Sequence, residues 1–161
     1  RNLSLSFLID VRYGGVMYSG TVSDLRVNGM AEETIGKNRT DIVDKGVKQD
    51  GTENTTAITP YQFWSNNYSS KVYEANVFDA TFVKLREMVL SYQMPQRWFK
   101  NCFIGSLALG VEGRNLWLMK SNVPHIDPET NIFGPSAVGS GVEYSAIPTT
   151  RSWGFNIKLT F

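Results

Sequence analysis

Large apolar residues alternate with small or polar ones in several well-separated runs of this chain. In the closing run, Arg151 to Phe161, the odd positions Trp153, Phe155, Ile157, Leu159 and Phe161 are apolar, and Ser152, Gly154, Asn156, Lys158 and Thr160 lie between them. A period of two gives a strand with one apolar and one wet face. The opening run repeats the pattern, with Leu3, Leu5, Phe7, Ile9, Val11 and Tyr13 on one face and Ser4, Ser6, Leu8, Asp10 and Arg12 on the other. In Thr81 to Met94, Val83 and Leu85 start in one phase and Met88, Leu90 and Tyr92 continue in the other, so the spacing predicts a bulge near Glu87. In "SLALGVEGRNLWLM", Leu107, Leu109 and Val111 oppose Glu112 and Arg114 before the phase blurs from Asn115 to Met119. The pattern predicts about four antiparallel strands and an all-β fold.

The connections between these runs are long, short and long: about 14–80, about 95–104 and about 120–150. Compact domains rarely use loops beyond roughly 15 residues. Because alternate connections of an antiparallel sheet lie at opposite ends, both long loops emerge at one end and the short turn at the other. Membrane barrels have this asymmetry, with short periplasmic turns and long extracellular loops. A strand of about eleven residues, at about 3.3 Å each and a tilt near 45°, spans roughly 25 Å, the height of the apolar band of such a barrel. Asp10, Arg12, Glu112, Arg114 and Lys158 all lie opposite the apolar faces. A water-filled lumen accepts them at little cost. The alternative is a soluble β-sandwich module that places the same charges in bulk solvent.

Composition narrows the function more than the fold. Sixteen basic and 15 acidic residues give a formal net charge of +1, with no basic patch for nucleic acid. A single cysteine, Cys102, cannot form an intrachain disulfide, and a single histidine, His125, makes a zinc site or a histidine-based triad hard to assemble. No arrangement of nucleophile and base or of paired carboxylates can be argued from spacing, so no enzyme and no cofactor is called for. No apolar run approaches the roughly 18 residues of a membrane-spanning helix, whereas barrel strands need only about 9–11 alternating residues. The chain opens at Arg1 with no initiator methionine and no signal peptide, and reads as a fragment beginning inside a larger protein.

Within the first long loop, Val22 to Met30 predicts a short helix with Ser23 or Asp24 near its cap and Gly29 near its end. Farther on, Tyr61, Phe63, Trp64, Tyr68, Tyr73 and Phe78 crowd into a short span. They are either the loop's own small core, which a loop of this length needs in order to fold, or platforms for a sugar ring or a partner protein. The candidate substrate contacts among them are Tyr61, Trp64 and Tyr68. His125, Asp127 and Glu129 flank two prolines and read first as a rigid turn; no metal site is expected there.

Three segments carry a family resemblance: "DATFVKLREMVLSYQMP" (Asp79 to Pro95), "VEGRNLW" (Val111 to Trp117) and "GVEYSAIPTTRSWGFNIKLTF" (Gly141 to Phe161). With "LSFLIDVRYGG" near the start, they resemble, in order and spacing, the closing strands of SusC/RagA-type TonB-dependent outer-membrane transporters; residues 14–80 match only loosely. The resemblance implies the C-terminal strands of a 22-stranded transmembrane barrel with an N-terminal plug. It implies import of oligosaccharides or peptides across the outer membrane of a Gram-negative bacterium, with a SusD-like surface lipoprotein as lid and TonB as the source of energy. Leu3, Phe7, Trp153, Phe155, Leu159 and Phe161 would then face outer-membrane lipid, and Arg12, Glu112, Arg114 and Lys158 would line the lumen or pair within it. Phe161 resembles the terminal aromatic signature recognised by the barrel assembly machinery. Plug and TonB box have no counterpart here, and four strands cannot close a barrel that needs at least about eight. The expected partner at both edges is therefore the N-terminal remainder of the same transporter. The competing expectation is a sandwich that binds glycans through Tyr61, Trp64 and Tyr68.

Overall fold

The structure is a computed structural model that describes residues 2–34, 41–69, 72–100, 103–134 and 141–161; Cys102 lies outside the described residues. In chain order the strands are β1 (Leu3–Arg12), β2 (Val16–Ser19), β3 (Ile42–Val43), β4 (Ala57–Ile58), β5 (Val77–Asp79), β6 (Phe82–Gln93), β7 (Ser106–Ser121), β8 (Val142–Glu143) and β9 (Ser152–Thr160). They belong to two compact units. One holds residues 1–13, 81–121 and 149–161, and the other holds residues 14–80 and 122–148.

The first unit is a single antiparallel sheet in the order β1-β6-β7-β9, built from the four runs that alternate most strictly. Its register aligns the alternation across every strand. Leu5, Leu90, Val111 and Phe155 form one cross-strand row, Leu3, Tyr92, Leu109 and Ile157 the next, and Phe7, Met88, Gly113 and Trp153 a third. Rows of the opposite face read Ser4, Ser91, Gly110, Asn156 and Ser6, Val89, Glu112, Gly154. Because partners directly opposite share a face, one face is apolar and the other is largely polar. Gly113 is needed where it stands, since a Cβ there would lie 2.9 Å from the Trp153 ring.

The bulge falls where the phase slips. Leu8 pairs with Glu87 and Ile9 with Leu85, so Arg86 is the extra residue. Against β7, Leu85 pairs with Trp117 and Glu87 with Arg114, and Asn115 adopts a left-handed φ of 51°. A further irregularity skips Met119 between Val83–Lys120 and Lys84–Leu118. Together these displacements explain the blurred periodicity of Asn115 to Met119.

The second unit centres on helix α1 (Gly20–Val27) and the three-stranded sheet β5-β2-β8. Met17, Ala80 and Val123 form its buried apolar cluster, with Phe78 and Ile126 against it. The helix begins earlier than its sequence suggests. Ser19, not Ser23 or Asp24, is the cap, and its Oγ accepts the Val22 N–H at 3.0 Å. Gly29 closes the other end at φ 68°, with Met30 N–H donating to Leu25 O at 2.8 Å and Gly29 N–H to Arg26 O at 3.2 Å, a Schellman arrangement. No helix among the described residues is long and apolar enough to cross a membrane.

Candidate functional site

The apolar face of the four-stranded sheet is open rather than packed. Phe7 is 65% exposed and Phe155 84%, and Leu3, Trp153, Leu159 and Phe161 are exposed as well. From Leu107 at one end of this face to Trp117 at the other is about ten residue steps, or roughly 33 Å along the strand; at a tilt near 45° that is roughly 24 Å. The height matches a bilayer's apolar band. An uncovered surface of this size is unfavourable in water and favourable in hydrocarbon.

The polar face carries the charges. Arg86 at the bulge pairs with Asp10 and donates from Nη1 to Asn115 Oδ1 at 3.0 Å, while Asn115 Nδ2 donates to Thr150 O at 3.1 Å. Arg114 lies between Glu87 at 3.5 Å and Glu112 at 3.7 Å. Lys84, cross-strand from Asp10, is only 3% exposed and donates from Nζ to Thr149 Oγ1 at 2.8 Å. Arg12 shares a cross-strand row with Phe82 and Ser121, and Lys158 one with Ala108 and Gln93. Arg12, Glu112, Arg114 and Lys158 thus lie on this face together with Asp10, as the alternation predicts, and the structure adds Lys84, Arg86 and Glu87. The phase switch near Glu87 was the available signal for Arg86, because an extra residue moves the side chains that follow it to the other face.

In the loop unit, Arg26 gathers the most partners. Its Nε contacts Glu33 Oε1 at 2.5 Å, and its Nη1 donates to Ala75 O at 2.7 Å and Asn76 Oδ1 at 2.8 Å. Its guanidinium also lies 4.6 Å from the Trp64 ring centroid and 5.4 Å from that of Phe78. Partial burial works against the charge on Glu33, but hydrogen bonds from Arg26, its own backbone and His125, together with the Arg26 charge, hold its carboxyl down at about 2.

A second cluster surrounds Glu143, which is 1% exposed. Its carboxylate accepts the Ser19 hydroxyl at 2.6 Å, the Thr21 hydroxyl at 2.5 Å and the Ala146 N–H at 3.2 Å. Ser19 thus caps α1 and clasps Glu143 with one hydroxyl. Sequence reading found neither Arg26 nor Glu143, since their contacts join distant parts of the chain.

Trp64 and Tyr68 pack with Phe63 at ring-centroid distances of 4.7 to 5.6 Å, as a small core within the loop. Tyr61 stands apart, 64% exposed, beside a cleft of about 430 Å³ lined by Arg26, Asn28, Thr34, Thr59 and Pro60. Among the described residues no group of three or more histidine, cysteine, aspartate or glutamate side chains is placed to hold a metal; His125 instead contacts Glu33 at 3.1 Å.

A sheet with an exposed apolar face and a charged opposite face has the pattern of part of a transmembrane β-barrel. No protein-family model matches the chain. Among curated proteins, it is 26% identical over 89 residues to TonB-dependent receptor P3 of Formosa agariphila, a match covering 53% of this chain and 9% of that protein. Among solved structures, the RagAB peptide transporter aligns over 100% of this chain and 16% of its own, with a TM-score of 0.61 and 20% identity. The RagAB peptide importer in its open-open state aligns equally completely, with a TM-score of 0.60 and 17% identity. The chain therefore spans about a tenth of the curated relative and about a sixth of the solved ones. Its fold is that of a partial RagA-like barrel, and its sequence is similar to that of a TonB-dependent receptor. Both agree with the resemblance to SusC/RagA-type TonB-dependent transporters read from the sequence.

Proposed function

We propose that this chain supplies the last four strands of a 22-stranded outer-membrane barrel that imports peptides or oligosaccharides, energised by TonB through a plug carried by the N-terminal remainder of the transporter. The observation that carries this reading is the register-aligned, two-faced sheet, whose apolar rows suit lipid and whose charged rows suit an aqueous lumen. Residues 14–80 and 122–148 then lie outside the cell, beneath a SusD-like lipoprotein lid, and the turn at about 95–104 lies in the periplasm. Arg12, Glu112, Arg114 and Lys158 line the lumen. Tyr61, exposed beside the cleft, would offer its ring to a passing sugar or peptide, whereas Trp64 and Tyr68 shape the loop that presents it. The role is that of a conduit, not a catalyst.

Uptake by cells expressing the intact transporter tests this. Labelled oligopeptide or oligosaccharide should accumulate only when TonB is present, and a tagged transporter should co-purify with its lipoprotein from detergent. Uptake unchanged by deletion of TonB, with no co-purifying lipoprotein, would refute the assignment.

A further inference from the structure

The short turn after β6 has features that barrel closure alone does not require. Its two ends are fixed, with Met94 N–H donating to Leu107 O at 2.8 Å and Gly105 N–H to Thr160 O at 2.7 Å. Between them, the 3₁₀ segment Gln96–Phe99 helps to form a pocket of about 420 Å³, lined by Gln96, Arg97, Phe99, Lys100, Ile104 and Gly105. Arg97 and Lys100 are exposed and form no ion pair among the described residues. The sequence places no aspartate or glutamate between Glu87 and Glu112, so no acidic side chain of this stretch offsets their charge.

Three further aromatics at this end of the sheet, Trp98, Phe103 and Phe161, are exposed. Trp98 lies within the turn, and Phe103 stacks on Phe161 with ring centroids 5.7 Å apart and planes 5° from parallel. Phe161 continues the odd-numbered apolar series of β9, so this pair belongs to the rim of the apolar face. Aromatic rings with one apolar and one polar environment settle at the level of lipid headgroups, where fixed cations meet phosphate.

We infer that the pocket of Gln96, Arg97, Lys100 and Gly105 holds the headgroup of an anionic phospholipid in the leaflet at the short-turn end. This rests on the membrane-barrel reading above. Arg97 offers a planar fork and Lys100 a point charge to the phosphate, Gln96 can donate to a headgroup hydroxyl, and Phe103 and Phe161 accompany the acyl chains. A zwitterionic headgroup brings its own cation to the pocket and gains less.

The test uses the intact transporter in bilayers of phosphatidylcholine alone or mixed with phosphatidylglycerol, with retained lipid counted by native mass spectrometry during titration. Wild type should retain phosphatidylglycerol in preference to phosphatidylcholine. Each cation near a membrane surface corresponds to roughly a fivefold change, so R97Q/K100Q should weaken phosphatidylglycerol retention by roughly 30-fold, while the charge-conserving R97K/K100R should keep most of it. Equal retention of the two lipids by wild type, unchanged retention by R97Q/K100Q, or displacement by millimolar inorganic phosphate would overturn the inference. Quenching of Trp153 by tail-brominated phosphatidylcholine, read against W153F, separates the two levels. If Trp153 is quenched and the lipid preference is absent, the pocket inference fails alone; if it is not quenched, the membrane reading itself fails.

Discussion

Phe7 and Ser6 are adjacent in sequence and on opposite faces of β1, so an arginine at each asks the same question of two environments. Phe7 lies in the row of Met88, Gly113 and Trp153, with about two thirds of its surface outside protein contact. Transfer of a full phenylalanine side chain is worth roughly 1.5–3 kcal/mol, so its exposed part contributes roughly 1–2 kcal/mol of contact with hydrocarbon. An arginine on the lipid face near the bilayer midplane costs a further 2–4 kcal/mol, about. Phe7→Arg should therefore destabilise the reconstituted transporter by roughly 3–6 kcal/mol. Ser6 lies in the row of Val89, Glu112 and Gly154, where a new arginine meets water and a carboxylate; Ser6→Arg should change stability by less than about 0.5 kcal/mol. The assay is guanidinium unfolding in lipid vesicles, with the heat-modifiable electrophoretic band as the measure of folded barrel. Equal costs for the two substitutions, or a larger one for Ser6→Arg, would refute the assignment of faces.

The loop unit supports further expectations. Arg26→Gln removes the partner of Glu33, Ala75 O and Asn76 together and should cost the loop unit about 3 kcal/mol, seen as faster amide exchange over residues 60–78. Glu143→Ala leaves the Ser19 and Thr21 hydroxyls without their acceptor and should cost about 3 kcal/mol, with Glu143→Gln intermediate; amide exchange in α1 and at Tyr144 to Ala146 reports it. Glu33 has a folded-state pKa of about 2, below the ordinary 4.5, so its contribution is fully present above about pH 4.5 and is lost as pH falls toward 2. Emission from Trp64, against which Arg26 stacks, should shift across that window in wild type and not in Glu33→Gln, with W64F as reference. A shift that survives in Glu33→Gln would assign the transition to another group.

The sheet was legible in the sequence because a strand with two different surroundings must alternate, and Trp153 to Leu159 does so without interruption and Leu3 to Val11 with Leu8 as its one exception. Even the bulge left a trace, since one extra residue at Arg86 reverses the phase of everything after it. The loop unit was less legible. Ser19 was missed as the cap because it ends a strand and precedes Gly20, which reads as a breaker; only the structure shows the Tyr144 ring occupying the space that a side chain at Gly20 would need. The clasp of Glu143 on Ser19 joins residues 124 apart in sequence, and no local pattern encodes it. Tyr61, Trp64 and Tyr68 looked equivalent on the page. Packing separates them, with two rings inside a core and one at a cleft.

Nitroxide labels placed singly at each position from Ser152 to Thr160 of the intact transporter in bilayers test the central claim most directly. Labels at 153, 155, 157 and 159 should be relaxed strongly by oxygen, which concentrates in hydrocarbon, and labels at 152, 154, 156, 158 and 160 by a water-soluble nickel chelate, in strict alternation. Odd-numbered labels that are immobile and reached by neither reagent would mean that this face is covered by protein, and the account would be wrong.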